Sequence, residues 1–267
     1  MPDSGPLDLS ALELGCAALL LLANGAVSVW LGLGLGSRLL WAGVRTVVQL
    51  SLLGVVLVFV FDAQEPLLVV GIGSLMLLMA AREAVRRAGR RYRGVYGHAF
   101  LSLMLASGVS ILLATLVVLR PDPWWQPRYL IPLLGMVLGN GLTGISLGLD
   151  RCLLKFDEGR GEVEVWLAAG ATPWEAARPT ASEAIRAGLI PILNAMSVVG
   201  LVTIPGMMTG QILGGSDPSL AARYQILVMF LIAGVTAAGT TGCVLFAVRS
   251  AFDEGGRLRP ERISKVG

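Results

Sequence analysis

Apolar residues fall in long, nearly unbroken runs along this chain, separated by short polar breaks. Seven such runs stand out, at roughly 9–34, 39–61, 66–82, 97–119, 129–149, 186–206 and 224–248. At 1.5 Å per helical residue each is about long enough to cross a ~30 Å hydrocarbon layer, the third only barely. The pattern predicts an all-α, polytopic membrane protein of about seven transmembrane helices, a single transmembrane domain over 1–267.

One stretch departs from this pattern. Glu164 to Arg186 reads EVWLAAGATPWEAARPTASEAIR, a polar island between two apolar runs. Gly170 suits the residue just past a helix end, where a left-handed conformation is needed. Thr172 then reads as an N-cap, Pro173 as the first helical residue and Glu175 as the third, together a capping box. The local chemistry spells helix, tight turn, helix, an elbow within a segment of about 150–185.

Composition agrees with a membrane protein. The chain is 55% hydrophobic and only 15% charged, and its 34 glycines suit helices that pack backbone to backbone. Small residues recur at near-helical spacing, as in Gly135, Gly139, Gly144 and Gly148, and in Ser102, Ala106, Ser110 and Ala114. Whether these faces pack within one chain or across a dimer is left open by the spacing.

Basic residues give the orientation. Arg82, Arg86, Arg87, Arg90, Arg91 and Arg93 follow the third run, and most of the others lie between 150 and 186 or in the C-terminal tail. The positive-inside rule puts these segments in the cytoplasm, with the N-terminus outside and the C-terminus inside. The elbow is then cytoplasmic. The net charge of +3 reports topology and gives no sign of a nucleic-acid partner. The first residues, MPDSGPLDLSALE, carry acids and no basic leader, so the first run is expected to stay as a helix. Cys16, Cys152 and Cys243 form no C-x-x-C pair and read as small buried hydrophobes.

Several chemistries are excluded. There is no phosphate loop, and the only lysines, Lys155 and Lys265, lie outside the apolar runs, so ATP phosphates are not held by this chain. His98 alone cannot ligate a haem or build a His-rich zinc site and reads as an interfacial side chain. No G-x-S-x-G elbow is present, and no enzyme activity is expected.

Polar residues inside the runs are candidates for a translocation path, because burial of such groups in lipid is costly. Arg45 and Gln49 sit four residues apart on one helical face, and Arg45 either snorkels to the interface or faces the bundle interior. Asn140 and Asn194 either bind helices together or line a path. Pro205, Gly206, Met207 and Met208 break the sixth run and suit a gate, with the two thioethers as candidate soft metal ligands. Asp217 reads as an N-cap ahead of Pro218.

The elbow resembles the EAA coupling loop of ABC-transporter permeases: Glu164 stands six residues before Gly170, and Ala171, Thr172, Pro173 and Trp174 follow. Val165 and Trp166 replace the usual two alanines, and the later Leu-Pro is missing. Over a longer stretch the chain is similar to the FetB type of bacterial iron-export ABC permease, a group that includes the plant aluminium-tolerance permeases. The residues that carry this are Gly135 to Asn140, Gly170 to Pro173, Gly200 to Gly210 with its Pro-Gly-Met-Met, Asp217-Pro218, and Tyr224-Gln225-Ile226; Arg45 and Gln49 also match.

The resemblance implies a permease homodimer in the bacterial inner membrane, exporting iron and powered by a separate FetA-like ATPase that carries ATP and magnesium. It makes Glu164, Gly170 to Glu175 and Arg178 the coupling residues, with Trp174 as apolar anchor. An organic solute or nucleotide sugar as cargo, or an ATPase-independent secondary transporter, are the alternative readings.

Overall fold

Caps legible in the sequence set the helix ends in the structure, a computed structural model that describes residues 10–265. The expectation about the extreme N-terminus lies outside the described residues. Ser10 caps α1 (Ala11–Trp30): its hydroxyl accepts from the Glu13 amide, and the Glu13 carboxylate accepts in return from the Ser10 amide. Then come α2 (Gly36–Ala63), α3 (Pro66–Arg87), α4 (Val95–Leu112), α5 (Pro127–Glu158), α6 (Arg160–Ala168), α7 (Pro173–Val198), α8 (Gly206–Leu213) and α9 (Pro218–Ala251). Pro66, Pro127, Pro173 and Pro218 each sit in the first turn, where a missing N–H costs nothing. α4 continues as a π-helix over Leu113–Leu119, so the fourth run is helical to its expected end.

Among the described residues six helices, α1 to α5 and α9, are long and apolar enough to span a membrane. The chain is an all-α polytopic membrane protein. The expected sixth span, 186–206, is different. α7 stops at Val198 because Val199 turns extended and Gly200 takes φ +81° in a tight loop closed by Gly200 N–H on the Thr203 carbonyl (2.9 Å). From Arg186 to Val198 leaves 13 residues (198 − 186 + 1), about 20 Å of helix, and the earlier half of α7 carries Glu175, Arg178 and Glu183.

Other boundaries differ too. α3 runs to Arg87, so Arg82, Arg86 and Arg87 are helical; nothing in the arginine run breaks a helix before Gly89. α5 runs to Glu158, well beyond the apolar stretch. Finally, Arg90–Tyr92 (β1) and Ile263–Lys265 (β2) pair antiparallel, tying the C-terminal tail to the α3–α4 connection.

The core is centred on α5, which packs against α9, α7, α3 and α4. Its Val137, Ile145, Leu149, Leu153 and Phe156 are fully buried. The closest crossing uses the expected small residues within the one chain. A Cβ on Gly188 of α7 would stand 2.5 Å from the Gly144 carbonyl oxygen of α5 and 2.6 Å from Thr240 Cγ2 of α9. Only hydrogen fits there, and glycine draws three backbones together. The α1–α2 hairpin is the loosest part: α1 packs on α2, which meets the rest mainly through α5. Most of its side chains are exposed, Cys16 included, whereas Cys152 and Cys243 are buried as expected.

Candidate functional site

The elbow forms as its sequence predicts. α6 ends in a Schellman motif: the Ala171 amide donates to the Trp166 carbonyl (3.0 Å) and the Gly170 amide to Leu167 (3.0 Å). Gly170 sits at φ +90°, with open space where a Cβ would be. Thr172 and Glu175 then build the capping box, with the Thr172 amide donating to the Glu175 carboxylate (2.8 Å) and the Glu175 amide to the Thr172 hydroxyl (3.3 Å). The bonds from the Thr172 amide and hydroxyl hold the Glu175 carboxyl below the usual glutamate range. Two helices are thus joined by four residues, most of whose polar groups are bonded locally.

The elbow has an inner and an outer face. Val163, Ala176, Ala177 and Thr180 are buried against the bundle. Trp166 and Trp174 stay 55% and 48% exposed, a large apolar surface that none of the described residues covers. Glu164 and Arg178 are exposed, and neither has an ion-pair partner among the described residues.

A neighbour that the sequence does not announce completes this surface. After α9 the chain makes a tight loop, Asp253–Leu258. Asp253 accepts from the Arg257 amide (2.8 Å) and pairs with Arg259 (2.8 Å), which hold its carboxyl below the usual range. A Cβ on Gly256, at φ +74°, would be 3.0 Å from Pro173 Cγ, so the loop touches the first residue of α7. On either side of this contact lie two open clefts of about 620 and 500 Å³. Trp174, Arg249 and Phe252 line one, and Glu164, Leu167 and Arg257 the other. The Asp-Glu-Gly-Gly run signals a turn in the sequence, but nothing there shows which element it meets.

Behind the elbow, Glu183 binds α7 to α5. It pairs with Arg151 (Nε to Oε1, 2.8 Å) and with Lys155 (3.5 Å). Arg90 of β1 pairs with Asp157 (2.9 Å) and Glu158 (2.6 Å), and Lys265 of β2 with Asp157 (3.5 Å). The ends of α5 and α9, the ribbon and the elbow therefore form one cross-linked layer at the basic end of the bundle. His98 belongs to it too. It is half buried, stacked on Phe246 at 4.6 Å, with Nδ1 2.9 Å from the Tyr92 hydroxyl, rather than reaching out to the interface.

The expected pathway residues do not converge within one chain. Arg45 lines an open groove with Arg82 and Glu83 of α3 and Gly139 of α5. Gln49, one turn on, is exposed. Asn140 is exposed and its amide donates to the Met136 carbonyl one turn back (2.9 Å). Asn194 is exposed on α7. Pro205 caps α8, Gly206 opens it, and Met207 and Met208 are half buried on its first turn. The helix break therefore precedes Pro205, and the Pro-Gly-Met-Met run starts a new short helix. Met207 joins Met136, Tyr129, Gln211 and Tyr224 around a cavity of about 300 Å³ at the end opposite the elbow. Among the described residues no three His, Cys, Asp or Glu side chains cluster to hold a metal ion.

The model of the family described as "Uncharacterised protein family (UPF0014)" matches residues 11–252. The chain belongs to the UPF0014 family. Among its relatives is the "UPF0014 membrane protein slr1647" of Synechocystis, 40% identical over 248 residues, 93% of this chain and 96% of that one. The "Protein ALUMINUM SENSITIVE 3" of Arabidopsis thaliana is 35% identical over 204 residues, 76% of this chain and 72% of that one. The "Probable iron export permease protein FetB" of Escherichia coli is 30% identical over 235 residues, 87% of this chain and 88% of that one. No solved structure gives a significant match. The UPF0014 match takes in the elbow, α8 and each pathway candidate, and stops at Phe252, just before the loop that touches Pro173.

Proposed function

We propose that this chain is the permease subunit of an ABC exporter, and that a separate ATPase docks on the elbow. The observation that carries the reading is the elbow itself: a locally bonded helix–turn–helix at the basic end, with two half-exposed tryptophans and with Glu164 and Arg178 exposed and unpaired among the described residues. By the positive-inside rule that end faces the cytoplasm, where ATP is available, and likeness to FetB supports the bacterial inner membrane as its location. Trp174 is the apolar anchor, because a buried aromatic tends to dominate such contacts. Glu164, Gly170 to Glu175 and Arg178 are the coupling residues, and the Asp253–Leu258 loop extends the same surface. ATP and magnesium belong to the partner, whose closure would move the elbow; the Glu183 pairs pass that motion to α5.

Two copies of the chain complete the path. The outward side of α5 carries Asn140 and Thr143, too polar to favour lipid, and Gln49 and Asn194 are exposed on α2 and α7. Iron is the leading cargo, by likeness to FetB. An organic solute is the second reading, favoured by the cavity beside Met207, whose Arg128, Gln211 and tyrosines suit an oxygen-rich molecule.

Metal efflux from cells expressing the chain with and without its ATPase, following iron, manganese and zinc together, tests the proposal. Iron loss that needs both chains and fails with Gly170→Asp supports exporter and coupling site together. Normal efflux by Gly170→Asp would sink the coupling role. A stable complex that moves no metal would overturn iron and turn the search to organic solutes.

A further inference from the structure

We propose that the groove between α2, α3 and α5 at the basic end is a binding site for an anionic phospholipid. Its volume is about 450 Å³ and it opens on the outside of the bundle, between helices apolar enough to span a membrane. Arg45 enters from α2, and Arg82 and Arg86 from α3. The single carboxylate in the groove, Glu83, is already engaged by Arg86 (3.1 Å) and by Arg87 (3.2 Å). Arg45 and Arg82 have no carboxylate partner among the described residues, so the groove keeps an excess of positive charge.

The rest of the wall is apolar. Met76 lies six residues before Arg82 on α3, about 9 Å deeper by helical rise, and Leu138 and Leu142 face it from α5. Glycines keep this trough open: a Cβ on Gly139 would meet nothing within 4 Å. Cationic groups thus sit at one end of a trough otherwise lined by aliphatic side chains, the shape of a phosphate headgroup with its acyl chain. Guanidinium is the side chain best matched to phosphate, which it grips through two parallel hydrogen bonds. An unpaired arginine within a membrane-spanning helix needs such a counter-ion, and an anionic headgroup at the interface supplies one. This site needs neither the ATPase nor the cargo, and it gives Arg45 a role apart from the translocation path.

The test is titration of the purified full-length protein in neutral detergent with phosphatidylglycerol, phosphatidylcholine or inorganic phosphate. Bound lipid is read by native mass spectrometry and protection by thermal unfolding. Phosphatidylglycerol is expected to bind and protect while the other two do not. Arg45→Gln and Arg82→Gln should each weaken it about five-fold, from roughly 1 kcal/mol per basic residue near an anionic surface. Arg45→Lys should lose less than Arg45→Gln, and Arg223→Gln, at the far end, should lose nothing. Equal binding of phosphatidylcholine, or full binding by Arg45→Gln with Arg82→Gln, overturns the proposal. Protection by inorganic phosphate alone overturns it in favour of a free-anion site.

Discussion

The crossing of α5, α7 and α9 makes a sharp stability prediction, and it bears on function because α7 carries the elbow at its far end. Gly188→Ala adds one methyl group whose position is already taken. Its nearest neighbour, the Gly144 carbonyl oxygen at 2.5 Å, is backbone and cannot rotate away, and Thr240 Cγ2 at 2.6 Å belongs to a β-branched side chain with little χ1 freedom. Overpacking of this kind costs about 1–3 kcal/mol. Alanine regains about 1 kcal/mol over glycine in helix propensity, so the net expectation is a loss of up to about 2 kcal/mol. Gly71→Ala on α3 is the matched control, because its Cβ would meet nothing within 4 Å. That variant should gain up to about 1 kcal/mol from propensity alone. The propensity gain is common to both, so the two should differ by the overpacking cost, roughly 1–3 kcal/mol or about 5- to 150-fold in the unfolding equilibrium. Helicity during reversible unfolding in mixed detergent micelles reads this difference directly. A Gly188→Ala protein as stable as Gly71→Ala would refute the crossing as described.

Trp174 is 48% exposed, so docking would cover about 100 Å² of it, or roughly 2.5 kcal/mol, and Trp174→Ala should weaken capture of the ATPase about 60-fold in a pull-down titration. Thr172→Ala should cost the elbow about 1 kcal/mol and speed amide exchange there. Because Glu175 is held below its ordinary value in the folded elbow, the capping box contributes fully above about pH 4.3 and fades as pH falls through the lowered value; Thr172→Ala should remove that acid dependence of exchange. Deleting residues 259–267 removes β2 and the Arg259–Asp253 pair, so amides at Tyr92 and Asp253 should exchange faster, while unchanged exchange would mean the ribbon holds nothing in place.

The class of this protein and the shape of its elbow are local properties, and the sequence determined them. Apolar runs of spanning length must be helices, because a backbone in lipid has no other partner for its polar groups. The Gly170 turn and the Thr172–Glu175 box need only residues within six positions of one another, so they can be read from the chain and appear in the structure bond for bond. The Asp217 cap was legible for the same reason: its carboxylate accepts from the Ser219 and Leu220 amides (2.9 and 3.1 Å).

What depended on distant parts of the chain was decided only by tertiary structure. Glu183 gains its partners only in the fold, where α5 brings Arg151 and Lys155 beside it. The pairing of Arg90–Tyr92 with Ile263–Lys265 joins segments some 170 residues apart, and neither is long or apolar enough to signal a strand. The sixth run is cut short because the φ of Gly200 and the turn around it end the helix at Val198, an outcome that hydropathy does not register. Arg45 could not be placed from periodicity, which gives its face but not its neighbour; α3 supplied Arg82 and made a basic groove of it. The sequence measured how apolar each helix is, and packing decided which charges meet.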